Sequence, residues 1–326
     1  MTRVAIIGCG GIGQKRAQSL GDASLVAVAD ADSHRAAQLA SRYPGCTADP
    51  SWRDTVARDD IDVVVVATTH DALSEITYAA VEAGKHVLVE KPAGRNAAEV
   101  ARVIEAATRT GVYVRVGFNH RYHPAFQRAR ALVDAGTLGP LLYIRGRYGH
   151  GGRIGYDREW RADPARSGGG ELIDQGIHLI DLSRWFLGDF TDVRGSIQTY
   201  FWHMPVEDNG FLELRTPRQQ TAWLHASCTE WKNLFSFEIF GRDGKIDVNG
   251  LGGSYGVERL TLYRMLPEMG PPETTTWEYP MADRSWAVEF AEFMEDIRLR
   301  RPPSANLADA HAALTIVGRV YREALQ

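Results

Sequence analysis

Short unbroken apolar runs alternate with helical patterns along the first third of the chain. "RVAIIG" runs into glycines, and a helix is predicted from Ile12 to Leu20. "LVAVAD" is the second run, after which Ser33 is expected to cap a helix reaching Tyr43. "DVVVVAT" is β-branched throughout, as befits a strand covered on both faces. A helix over 73–83 leads to "KHVLVEKP", followed by a helix over 97–111 and the strand "VYVRVG". Repeated strand–helix units with continuously apolar strands predict a doubly wound parallel sheet of α/β class.

After Asn119 the pattern changes. A helix from Pro124 to Ala135 precedes the strand "LLYIRGRYG", a loop rich in Gly, Arg and Tyr, and then "GGGELIDQGIHLIDLSRWF" at 168–186. On a helix turning about 100° per residue, Glu171, Asp174, His178 and Asp181 fall within an arc of about 80°. Leu172, Ile173, Ile177, Leu179, Ile180 and Phe186 cover most of the rest, so a largely buried helix with one polar stripe is predicted. Strand patterns then dominate in "DVRGSIQTYF", "GFLELRT", "QTAWLHASCTEW", "LFSFEIFG", "KIDVNG" and "RLTLYR", with turns such as Arg242-Asp243-Gly244. They predict a mainly antiparallel sheet in a second, α+β domain. Two helices, over 286–300 and 307–325, close the chain around Pro302 and Pro303. The domain boundary is expected near residue 120, giving 1–120 and 121–326, with the final helices free to pack on either part.

Composition narrows the field. The 326 residues fit two domains, and a net charge of −4 from 37 basic and 41 acidic residues offers no electrostatic case for nucleic acid. No apolar run approaches the roughly 20 residues of a membrane span. "MTRVAIIGCGGIG" lacks the pattern of a signal peptide. Cys9, Cys46 and Cys228 have no metal-like spacing and read as reduced thiols in a cytoplasmic protein, with no metal expected.

"GCGGIG" places Gly8, Gly10 and Gly13 in G-x-G-x-x-G spacing after a strand and at the start of a helix, the context that a dinucleotide-binding loop requires. Gly11 and Ile12 belong to the same loop. Asp30 ends the second strand, where an acid accepts from ribose hydroxyls and repels a 2′-phosphate, so NAD is expected over NADP. Arg35 is the nearby cation that argues the other way. Thr68, Glu90 and Lys91, at the ends of neighbouring strands, join the cofactor-facing set. Lys91 follows Glu90 at a parallel-strand end, where it can donate to a substrate oxygen or lie on the surface before Pro92. Asp174 and His178 are neighbours on one helix face. Alone they read as a core histidine satisfied by an acid; beside a nicotinamide, His178 suits removal of a hydroxyl proton near neutrality.

Together these segments resemble the glucose–fructose oxidoreductase / inositol dehydrogenase / rhizopine catabolism (Gfo/Idh/MocA) family. The resemblance rests on "GCGGIG", "AGKHVLVEKP", "GFNHRYHP" and "GGGELIDQGIHLIDLSRWFLG", and covers essentially the whole chain. It implies a Rossmann domain, a second domain with a large open antiparallel sheet often used for homodimers or homotetramers, and a sugar, cyclitol or nucleotide-sugar substrate lying between nicotinamide and motif helix. It also implies that His178 is the general base, assisted by Asp174 and Lys91. "ATTHDALSEI" departs from the family pattern, with Thr69 and Leu73 where a proline-containing turn and a histidine are common.

Arg145, Arg147, His150, Arg153, Arg158, Arg161 and Arg166 crowd the segment before the motif helix, interleaved with Tyr148, Tyr156 and Trp160. Guanidinium groups suit phosphate or carboxylate, so the segment reads either as a site for an anionic sugar such as a nucleotide sugar or as a solvated loop that helps dimerisation. Asn119, Arg121, Tyr148, Arg153, Tyr156, Trp160 and Arg161 are candidate pocket-lining residues, with Lys91, Asp174 and His178. The function expected is NAD-dependent hydride transfer from a secondary alcohol. An NAD-dependent glycoside hydrolase and a non-catalytic NAD-binding regulator are the rival readings.

Overall fold

The computed structural model describes residues 1–324, so Leu325, the last residue of the final predicted helix, lies outside the described residues. The chain divides into two compact units, one formed by Met1–Phe118 with Trp286–Leu314 and the other by Asn119–Ser285 with the residues from Thr315 on.

The first unit runs β1 (Arg3–Ile7), α1 (Gly11–Ala17), β2 (Ser24–Ala29), α2 (Ser33–Ala40), β3 (Thr47–Ala48), α3 (Trp52–Ala57), β4 (Val63–Val66), α4 (His70–Glu82), β5 (His86–Glu90), α5 (Ala97–Thr110) and β6 (Val114–Gly117). Its six strands are all parallel in the order β3-β2-β1-β4-β5-β6, the doubly wound arrangement. The strand predictions hold because every residue of β4 is buried, so no polar alternation is needed. Helix ends differ by a turn: α1 and α2 stop at Ala17 and Ala40, short of Leu20 and Tyr43. The α2 cap is Asp32 and not Ser33, because the Asp32 carboxylate accepts from the backbone N–H of His34 and Arg35. β3 and α3 escape the apolar pattern, β3 being two exposed residues.

Trp286–Leu314 groups with the first unit for a physical reason. Phe290 and Phe293 lie in one core cluster with Val4, Ile6, Val28 and Leu88. Fully buried Arg115 on β6 pairs with Asp296 and, at 3.1 Å, with Glu292. Arg16 of α1, also buried, donates to Glu90 Oε1 at 2.7 Å and to Glu289 Oε2 at 2.5 Å. Burial pushes Glu289 up to about 7, outweighing the attraction of Arg16. Its usual value is 4.5, so as pH rises between the two the folded chain keeps a proton the unfolded chain has released, and stability falls through that window. Glu289→Gln, neutral throughout, is expected to flatten the decline of Tm between about pH 5 and about pH 8. An unchanged slope by scanning calorimetry would refute this assignment.

The second unit contains α6 (Pro124–Asp134), β7 (Leu141–Gly149), α7 (Pro164–Ser167), a π-helical turn at Leu172–Gly176 continuing into α8 (Ile177–Leu187), then β8 (Asp192–Gln198), β9 (Asn209–Arg215), β10 (Thr221–Ser227), β11 (Leu234–Gly241), β12 (Gly244–Asn249), β13 (Glu258–Arg264) and β14 (Glu273–Tyr279). The helices α9 (Ser285–Leu299) and α10 (Leu307–Ala324) end the chain. The sheet order is β14-β13-β12-β11-β7-β10-β9-β8, antiparallel except where β7 and β10 run parallel. β14, rich in exposed threonine, carries no apolar alternation and so gives no strand signal in the sequence. The motif helix packs on the sheet through Leu179 against Gly146 and Leu172 against Gly210, where glycines admit side chains that a Cβ would displace. Among the described residues no helix is long and apolar enough to cross a membrane.

Candidate active site

In the first unit the loop between β1 and α1 is closed by two glycines and opened by a third. A Cβ on Gly13 would stand 1.8 Å from the Gly8 carbonyl oxygen, so helix and strand meet only without a side chain there. Gly10 has nothing within 4 Å of its Cβ position. It caps α1 without a side-chain hydrogen bond, and the first turn carries no acid. The amide ends of Gly11 and Ile12 therefore begin a helix whose dipole is left for an anion, which fits the pyrophosphate of a dinucleotide.

Asp30, beyond the end of β2, accepts from Cys9 N–H at 2.6 Å and Asp32 N–H at 2.8 Å, fixing its carboxylate at the rim of this loop. Arg35 pairs with Asp32 at 3.3 Å on the exposed surface. Cys9 is fully buried and its thiol is pushed up to about 12 by burial, with Asp30 adding to it, so it is packing and not a reactive thiolate. Thr68 is half-buried beyond β4, its hydroxyl donating to the Thr69 carbonyl at 3.2 Å. Glu90 is held by Arg16, and this anchors the end of β5 from which half-buried Lys91 projects.

In the second unit the triple glycine finds its cause. Gly168 has φ +80°, and Cβ atoms on Gly169 and Gly170 would stand 2.1 Å from the Tyr321 hydroxyl and 2.0 Å from the Glu207 carbonyl oxygen. Glu207 accepts from Gly170 and Leu172 N–H, both at 3.0 Å, and from Tyr321 O–H at 2.7 Å. This acid seats the start of the motif helix. Nothing in "VEDNG" marked it in the sequence.

The polar stripe is entirely buried: Glu171, Asp174, His178 and Asp181 are each at most 5% exposed. The π turn means the rotation is not the uniform 100° assumed above, yet each member meets a partner. Arg161 Nε donates to Asp174 Oδ2 at 2.8 Å while its guanidinium lies 4.5 Å from the Trp160 ring. Glu171 faces His150 Nε2 at 3.4 Å and receives Tyr156 O–H at 3.4 Å. Burial alone would depress His150, but Glu171 and Asp174 outweigh it and raise it. Arg121 donates to both Asp181 oxygens at 2.8 and 2.5 Å, which makes Asp181 a partner for an arginine. His178 stacks on His120, and Tyr148 lies 6.1 Å from it, ring to ring. Tyr148 is buried and its hydroxyl is pushed well up by burial and by Tyr255. Asn119 donates to Ser285 Oγ at 2.9 Å.

The expected cationic cluster does not assemble. On β7, Arg145 and Arg147 alternate with buried Ile144, Gly146 and Tyr148, so they point to the opposite face of the sheet. There they line a cavity of about 820 Å³ with Phe211, Trp223 and His225. Arg153 pairs with Glu159 at 2.7 Å, Arg161 with Asp174 and His150 with Glu171, while Arg158 and Arg166 are exposed. Strand alternation and local carboxylates disperse a concentration that exists only along the sequence.

A glycine loop open to a pyrophosphate on a six-stranded parallel sheet defines the first unit as an NAD-binding Rossmann domain. Residues 2–118 match the family described as oxidoreductase family, NAD-binding Rossmann fold, residues 126–247 match the GFO/IDH/MocA C-terminal domain, and the chain belongs to this GFO/IDH/MocA family of oxidoreductases. Inositol 2-dehydrogenase 2 of Saccharopolyspora erythraea is 32% identical over 301 residues, 90% of this chain and 80% of that one. Levoglucosan dehydrogenase of Pseudarthrobacter phenanthrenivorans is 31% identical over 201 residues, 59% of this chain and 50% of that one. A solved levoglucosan dehydrogenase in complex with NADH and L-sorbose shares the fold, with a TM-score of 0.90 at 22% identity over 99% of this chain and 96% of that one.

Proposed function

We propose that the protein oxidises a secondary alcohol on an uncharged cyclic polyol or anhydrosugar, with NAD supplying the hydride acceptor when bound. His178 takes the hydroxyl proton as general base. Lys91 donates to the same substrate oxygen and stabilises the charge that grows on it. Asp174, held by Arg161 one turn before His178, orients substrate hydroxyls. The observation that carries this reading is the buried cluster in which His178 and Asp174 lie a turn apart, on a chain of an NAD-binding oxidoreductase family.

Two things support a neutral substrate. Arg121, His150 and Arg161, the cations that meet the polar stripe, are each matched by one of its carboxylates within the second unit. A bound phosphate would have to displace Asp174 or Glu171 from its partner, at the cost of leaving a buried charge unpaired. The inositol and levoglucosan dehydrogenases similar to this chain are consistent with that class. The exposed Trp223, 60% accessible on the outer sheet face, supports self-association through that face. The test of substrate charge is oxidation of myo-inositol and levoglucosan against inositol phosphates, uronates and nucleotide sugars at saturating NAD. Higher kcat/KM on the neutral set is expected; preference for the anionic set would overturn the assignment.

A further inference from the structure

The segment that opens the second unit, a 3₁₀ turn at Asn119–Tyr122, brings a second imidazole onto His178. The His120 and His178 ring centroids are 3.9 Å apart at an interplanar angle of 24°, and both residues are about 95% buried (5% and 4% exposed). Two ties set this geometry. Arg121 clamps Asp181, three residues beyond His178 on α8, with a bidentate pair at 2.8 and 2.5 Å. On the other side, Asn119 Oδ1 lies 3.2 Å from His120 Nδ1, and the Asn119 amide donates to Ser285 Oγ. The turn's exit is pinned too, since Glu258 lies 2.9 Å from His123 Nδ1 and accepts from Ala125 N–H at 2.6 Å. Tyr148 at 5.2 Å and Phe235 at 5.8 Å close on the remaining sides of the His120 ring.

We propose that His120 is a positioning residue, whose stacked imidazole fixes the ring plane in which His178 presents its nitrogen to the substrate hydroxyl. This rests on His178 being the general base. A base that must meet a proton at hydrogen-bond distance loses rate when its ring can rotate, and the chi-2 torsion of histidine is otherwise broad. The flat face of His120 removes that freedom, while its Nδ1 is engaged by Asn119.

The test compares His120→Ala, His120→Phe, His178→Ala and the double variant, each first checked by Tm. In the NADH-bound protein, the imidazole Cε1–H resonance of His178, assigned by its loss in His178→Ala, needs no substrate. It is expected to move in His120→Ala, as the stacked ring's current is lost, and to stay near its place in His120→Phe. An unmoved signal in His120→Ala would overturn the proposal. On whichever of myo-inositol or levoglucosan is oxidised, His120→Ala should lower kcat by about 10- to 100-fold with KM for NAD unchanged. His120→Phe should recover most of that loss, and the double variant should be no slower than His178→Ala. A His120→Phe as slow as His120→Ala, or a further loss in the double variant, would make the residue merely structural and refute the proposal. Full turnover by His178→Ala would instead remove the general-base reading itself, and is recognised because it appears in that single variant.

Discussion

Replacing His178 by alanine is expected to lower kcat by about 10²–10⁴-fold, the range that a positioned general base contributes, while NAD still binds. His178 lies in the first turn of α8, immediately after the π turn, with its ring buried against His120 and Tyr148. Glu207 seats the helix start, and Arg121 holds the helix one turn further on. The alanine variant keeps these anchors, so the chain should fold with nearly wild-type Tm and lose only the proton acceptor. The nucleotide loop lies in the other unit and is untouched, so NAD affinity, read by fluorescence quenching, should change little. Steady-state kinetics on a neutral polyol check the rate. A variant that keeps its kcat would mean that water or another group takes the proton.

Lys91→Met is expected to be the second large loss, of about 10²–10³-fold in kcat, as for removal of one donor aimed at a developing oxyanion. The backbone from which Lys91 projects is set by its neighbour: Glu90 is locked to buried Arg16, which is itself shared with Glu289. Methionine preserves length and apolar stem while removing the charge. The loss should therefore fall on kcat, with KM for NAD nearly constant and Tm near wild type. A loss confined to substrate KM would identify Lys91 as a binding residue with equal grip on ground and transition states.

Much of this was legible in the chain because its signals are local. β4 is a buried run of valines, Gly8 takes a φ of +97°, and Gly13 stands where a Cβ would meet the Gly8 carbonyl, so strand, loop and helix follow from adjacent residues. The same holds for Asp174 and His178, whose spacing places them on one helical turn. What stayed hidden is non-local. Glu207 and Tyr321 explain the triple glycine from far along the chain, and α9 joins the first unit through Arg115 and Phe293, for which no motif exists. The cluster of cations suggested by the sequence does not form, for a related reason. Counting arginines along a segment ignores that strand alternation sends Arg145 and Arg147 to the opposite face and that Asp174 and Glu159 neutralise Arg161 and Arg153. His120 was visible as a letter in "GFNHRYHP", but its ring contact with His178 is made between residues 58 positions apart, beside the Arg121–Asp181 pair.

The most direct measurement is the near-ultraviolet absorbance of reduced nicotinamide when the purified protein is mixed with NAD and a panel of neutral cyclitols and sugars, with His178→Ala run in parallel. Steady formation of reduced nicotinamide is expected on at least one neutral ring, abolished or nearly so in the variant. Release of free sugar without net reduction of NAD, or equal signals from the protein and its His178→Ala variant, would contradict it.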